Sequence, residues 1–108
     1  MQLAPKSGPA PQADRPDGER ANILIVDDLP EKLLVFRTVL EELGQNLVMV
    51  RSGADALREI LQREFAVIML DVNMPGMDGF ETATLIRQRP RTEHVPIIFV
   101  TSMSKADK

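Results

Sequence analysis

Asp27, Asp28, Asp71, Thr101 and Ser102 stand where short apolar runs stop. The two adjacent aspartates follow "NILIV", Asp71 follows "FAVIML", and the two hydroxyl residues follow "VPIIFV". No charged residue interrupts any of these runs. A single Asp in such a place is ordinarily a turn residue or the N-cap of the next helix, and that reading serves for Asp28 or Asp78 taken alone. Three apolar runs that each end in a polar group of this kind are better explained by a shared site. Three carboxylates brought together repel one another unless a cation balances them. The chain has no cysteine, and its one histidine, His94, lies in the polar "RPRTEH" connection and reads as an exposed loop residue. An all-oxygen donor set points to Mg2+, with Mn2+ as the alternative. A hard cation beside a carboxylate suggests phosphoryl chemistry, in which the carboxylate attacks phosphorus while the metal offsets the charge.

The elements that must position these groups follow from periodicity. "NILIV" is a β-branched apolar run, read as a buried strand, that stops at the acidic pair. Pro30 suits the first turn of a helix carrying Leu33, Phe36, Leu40 and Leu43, which Gly44 ends. "NLVMV" is a second strand. Ser52 with Asp55 opens a second helix bearing Leu57, Ile60 and Leu61. "FAVIML" is the third strand, the Pro75 to Gly79 turn is its exit, and "GFETATLIRQR" is a third helix that Pro90 closes. "VPIIFVT" is the fourth strand. Met49 and Met69 fall within strands and read as gap-filling core.

Strands alternating with helices predict an α/β domain with a parallel sheet covered on both faces. Ligands of such sheets bind beyond the carboxyl ends of the strands, where every candidate group lies. One geometric condition attaches: strand side chains alternate faces, so Asp27 and Asp28 both reach one crevice only if the chain turns there.

Length and charge narrow the class further. The 108 residues suffice for one modest domain, and a net charge of -3 carries no basic footprint for nucleic acid or an anionic membrane. No apolar run approaches a bilayer span and no signal-peptide pattern opens the chain, so a soluble cytoplasmic protein is expected. Residues 1–21 hold four of the eight prolines and read as a disordered extension or linker, leaving 22–108 as the domain.

"ILIVDD", "LDVNMPGMDGFE" and "VPIIFVTS", in this order, closely resemble the receiver domain of two-component response regulators. The resemblance implies a flavodoxin-like, doubly wound sheet with strand order 2-1-3-4. It implies a signalling module rather than a turnover enzyme. Asp71 would be the phosphoacceptor, supplied by a histidine kinase or a phosphotransfer protein. Asp28 would bind Mg2+ directly, Asp27 mostly through water, Asp71 itself, and Asn73 through its backbone carbonyl. Thr101 would hydrogen-bond the phosphoryl group and act as the switch, and the small Ser102 would leave it accessible. The region "DDLPEKLLVFRTVLEELGQNLV" is similar to receivers attached to hybrid kinases.

The pattern also departs from the family's. Receivers carry a fifth strand ending in a phosphoryl-pairing lysine and then a fifth helix, whereas this sequence stops at "TSMSKADK", and Lys105 is not placed to take that role. The expectation is a C-terminally truncated receiver with the fifth strand and last helices missing. A chain of that kind that cannot hold phosphate would act by dimerising through an open strand-four edge. A phosphatase of the haloacid-dehalogenase kind is the remaining alternative, weakened because its general-acid aspartate would have to stand where Asn73 does.

Overall fold

The structure, a computed structural model, describes residues 19–101. Four strands, β1 (Asn22–Val26), β2 (Asn46–Val50), β3 (Val67–Asp71) and β4 (Ile97–Val100), form one sheet in the order β2-β1-β3-β4. All three pairings are parallel, with Ile25 opposite both Met49 and Met69, and Asp71 opposite Val100. Three helices join them: α1 (Pro30–Leu40), α2 (Gly53–Gln62) and α3 (Gly79–Arg87). This is the expected order 2-1-3-4. Backbone pairing extends one residue before β1, where the Ala21 carbonyl accepts from the Asn46 N–H at 2.9 Å. Residues 1–18 of the anticipated linker, and Ser102 and Lys105, lie outside the described residues.

The side-chain alternation of the strands makes two cores. Leu24, Val26, Ile68 and Leu70 point to one face and pack with Ala56 and Ile60 of α2 and Ala83 and Ile86 of α3. Ile23 and Ile25 point to the other and pack beneath Leu33, Phe36 and Leu40 of α1, with Met49 and Met69 at its margin. Helices on both faces explain why the central strands run apolar from Ile23 to Val26 and from Val67 to Leu70 rather than alternating. Leu24, Ile68, Leu70 and Ile86 are wholly buried, each contributing about 1.5–3 kcal/mol of transfer free energy.

The ends of the helices follow their capping chemistry. The Ser52 hydroxyl accepts from the Asp55 N–H at 3.0 Å, and Asp78 Oδ1 accepts from the Glu81 N–H at 2.8 Å. Asp78 is therefore an N-cap, its ordinary reading. Helix α1 has no side-chain cap and starts with Pro30 at its first position. It ends in a tight turn at Glu41–Leu43, and Gly44 stops it in the left-handed conformation at φ 71°.

Some elements are shorter or differently faced than their sequence suggests. Leu43 falls in the tight turn rather than on the helix face and is 47% exposed. Leu61 lies one position past the buried Ile60, so a rotation of about 100° carries it off the core face. Helix α3 stops at Arg87 because the residue before Pro90 disfavours helical geometry. Strand β4 begins only after Pro96, and Thr101 stands one residue beyond its end. Met49 and Met69 are partly buried core residues, as expected, and His94 is exposed beside Glu93.

Candidate functional site

The carboxyl ends of β1 and β3 are neighbours at the centre of the sheet, and this adjacency assembles the acidic groups. Asp27 and Asp71 are buried and Asp28 is half-buried. One carboxylate oxygen from each lies within 4.8 Å of the other two. The condition set by alternation is met by a bend at Asp28, immediately after the strand. Asp27 remains tied to the sheet through its N–H, which donates to the Val50 carbonyl at 3.1 Å. Its Oδ1 accepts from the Leu29 N–H at 3.0 Å, an Asx turn that leads into α1.

Asp71 is the last residue of β3 and is fixed by the loop that follows. Its Oδ1 accepts from the Asn73 N–H at 3.2 Å, which sets the rotation of the carboxylate. The ladder continues past the strand: the Val72 N–H donates to the Val100 carbonyl, and the Gly79 N–H to the Val72 carbonyl, each at 3.1 Å. Gly76 adopts φ 74°, which lets the loop reverse at little cost. Gly79 serves another purpose. A Cβ there would lie 2.8 Å from Val72 Cα and 2.9 Å from the Asp71 carbonyl carbon, and closer still to the Asp71 carbonyl oxygen. Helix α3 can start against the strand end only because this position has no side chain.

Of the residues singled out from the sequence, Asp27, Asp28 and Asp71 meet in one cluster, and Asn73 adjoins it by hydrogen bond. Thr101 is exposed at the same edge, one residue beyond Val100, the register partner of Asp71. Sequence reasoning missed Lys32, whose Nζ lies 3.3 Å from Asp27 Oδ2. It also missed Arg51, whose guanidinium donates to the Asp28 carbonyl at 3.2 and 3.4 Å. The five-residue spacing from Asp27 to Lys32, across a turn and a Pro30 helix start, is the signal that could have found the first.

The acidic cluster fits a hard divalent cation. Its donors are all oxygen, and the buried Asp27 Oδ2 makes no hydrogen bond. Oxygens around Mg2+ at about 2.0–2.1 Å lie about 3 to 4 Å apart. Groups at the full 4.8 Å separation would have to close by about 1–2 Å.

A four-stranded parallel sheet in this order is the fold of the CheY-like receivers. The chain belongs to the response regulator receiver domain family, which matches residues 23–108. It is 38% identical over 89 residues to the sensor histidine kinase GacS of Pseudomonas protegens, an alignment covering 80% of this chain and 10% of that protein. Its fold matches the crystal structure of a sensor protein from Polaromonas sp. JS666 with a TM-score of 0.73 and 31% identity, covering 82% of this chain and 70% of that one. The chemotaxis response regulator CheY4 of Vibrio cholerae superimposes with a TM-score of 0.71 and 31% identity, over 82% of this chain and 76% of CheY4. The domain is thus a signalling module of the two-component type. No helix among the described residues is long and apolar enough to cross a membrane.

Proposed function

We propose that this domain accepts a phosphoryl group on Asp71 from a phosphohistidine of a histidine kinase or phosphotransfer protein in the cytoplasm. The meeting of Asp27, Asp28 and Asp71 within 4.8 Å carries the reading. A carboxylate oxygen of Asp71 bonds to phosphorus as the donor's N–P bond breaks. The histidine nitrogen keeps the electron pair and takes up a proton, leaving an acyl phosphate on Asp71. Asp27, Asp28, Asp71 and the Asn73 carbonyl would hold Mg2+, or Mn2+ in its place, which when bound supplies charge neutralisation for the incoming phosphoryl oxygens. The Asn73 N–H orients the nucleophile, and the Val72 to Gly79 ladder keeps it from withdrawing. Thr101 would hydrogen-bond the phosphoryl group and convey its arrival to β4, with Ser102 leaving the approach open. The acyl phosphate is a switch state that hydrolyses slowly, so the output is a changed partner surface rather than a released product.

The test is intact mass after incubation with Mg2+ and acetyl phosphate. A labile adduct of one phosphoryl group that is lost in Asp71→Asn is expected. An adduct that persists in that variant refutes the assignment of Asp71.

A second reading draws support from β4. Among the described residues it pairs only with β3, and Ile98 and Phe99 are 51% and 43% exposed. Such an edge would join two copies by strand addition. Light scattering that reports a monomer at every concentration removes it.

A further inference from the structure

Lys32 is placed where a lysine is costly. It is the third residue of α1, where the positive end of the helix dipole disfavours a cation. Its side chain is only 23% exposed and its Nζ atom is buried. The ammonium lies 3.3 Å from Asp27 Oδ2, on a side chain 1% exposed, and neither atom makes a hydrogen bond. A desolvated ammonium without hydrogen bonds at the wrong end of a helix is held by charge alone. Asp27 brings one negative charge, and Asp28 and Asp71 stand within 4.8 Å of it. Three carboxylates in so small a volume require a compensating cation, and Lys32 contacts the most deeply buried of them.

We propose that Lys32 is a resident counter-cation of this cluster, held on Asp27, and that a divalent ion enters only by driving its ammonium off that carboxylate. The inference rests on the reading of the cluster as a divalent-cation site. Lys32 then has two opposed effects. Without metal it relieves the repulsion among the carboxylates and stabilises the domain. With metal it is a like charge beside the ion and weakens binding. The residue sets the free divalent concentration at which the receiver becomes competent, and it couples the first turn of α1 to occupancy of the site.

The test compares the full chain with Lys32→Met, which keeps the alkyl stem and removes the charge, and with Lys32→Gln. Mg2+ binding is measured by calorimetry and Mn2+ binding by electron paramagnetic resonance, beside urea denaturation in chelator. Both variants should bind either ion on the order of tenfold more tightly, the usual scale of coupling between two sites. Both should also unfold at lower urea than wild type without metal, with the gap shrinking or reversing when metal is saturating. If Lys32→Met folds only when metal is present, that too is the expected direction. Wild-type binding with unchanged or weaker affinity in both variants overturns the role of Lys32 and leaves the metal site standing. No binding by wild type or either variant overturns both.

Discussion

Gly76 and Gly79 lie in one loop and invite the same explanation, yet the structure gives them different reasons, and alanine at each separates the two. Gly76 has φ 74°, and a Cβ added there would meet no atom within 4 Å. Gly76→Ala therefore incurs only the left-handed backbone penalty, about 1–2 kcal/mol. At Gly79 an added Cβ would meet Val72 Cα at 2.8 Å and the Asp71 carbonyl carbon at 2.9 Å, where carbon atoms prefer about 3.5–4.0 Å. The atoms in the way are backbone, so the start of α3 must move by about 1 Å. Overpacking of this kind costs about 1–3 kcal/mol, and the strained Gly79 N–H bond to Val72 adds about 1 kcal/mol. The lower unfolded-state entropy of alanine returns less than about 1 kcal/mol. Gly79→Ala should thus lose about 3 kcal/mol and exceed Gly76→Ala by at least about 1 kcal/mol. A domain of this size is stable by roughly 4–12 kcal/mol, so both variants fold. With a urea dependence of about 1 kcal/mol/M, the midpoints should fall by about 3 M and by about 1–2 M respectively. Because the displaced carbonyl belongs to Asp71, Gly79→Ala should also slow formation of the phosphoryl adduct, whereas Gly76→Ala should leave more of it. A Gly76→Ala variant as destabilised as Gly79→Ala, or more so, refutes the steric account of the strand-to-helix junction.

Two further perturbations test how the edges of the site are held. Asp78→Ala removes the acceptor of the Glu81 N–H and should cost about 1 kcal/mol in urea denaturation; divalent affinity should not change, because Asp78 stands outside the acidic cluster. Arg87→Met removes a guanidinium that donates to the carbonyls of Val95 at 2.6 Å and Glu93 at 3.1 Å. It should cost about 1–2 kcal/mol and speed amide hydrogen exchange in residues 91–95, leaving β1 and β2 unaffected.

What could be read from the sequence was what local chemistry decides. The strands β1 and β2 start and stop with their apolar runs, and Ser52, Asp78 and Gly44 take the capping roles that their types favour. The acidic edge was legible because three apolar runs end in carboxylates or hydroxyls, whereas the order of the strands came from the resemblance and not from the periodicity. Lys32 was not legible, since a lysine in the first turn of a helix reads as a solvated residue until the Asx turn at Asp27 folds that helix back over the cluster. Arg51 and Arg87 were hidden for a similar reason: both act on backbone carbonyls, which no side-chain pattern announces. Leu43 and Leu61 fit the apolar period of their helices and are nonetheless exposed, because a tight turn or a single step of rotation outweighs a loose count of spacing.

The place of the acidic cluster follows from the strand order itself. From β1 the chain crosses to β2 on one side of the sheet's centre, and from β3 it crosses to β4 on the other. The connections leaving β1 and β3 therefore diverge, and a crevice opens between two strand ends that remain hydrogen-bonded neighbours. There charged groups from the ends of two strands approach one another. Burial in the strands on either side fixes Asp27 and Asp71 from below, while the Asx turn at Asp27 and the Asn73 N–H fix them from the loops above. The first turn of α1, bearing Lys32, stands at the edge of this crevice.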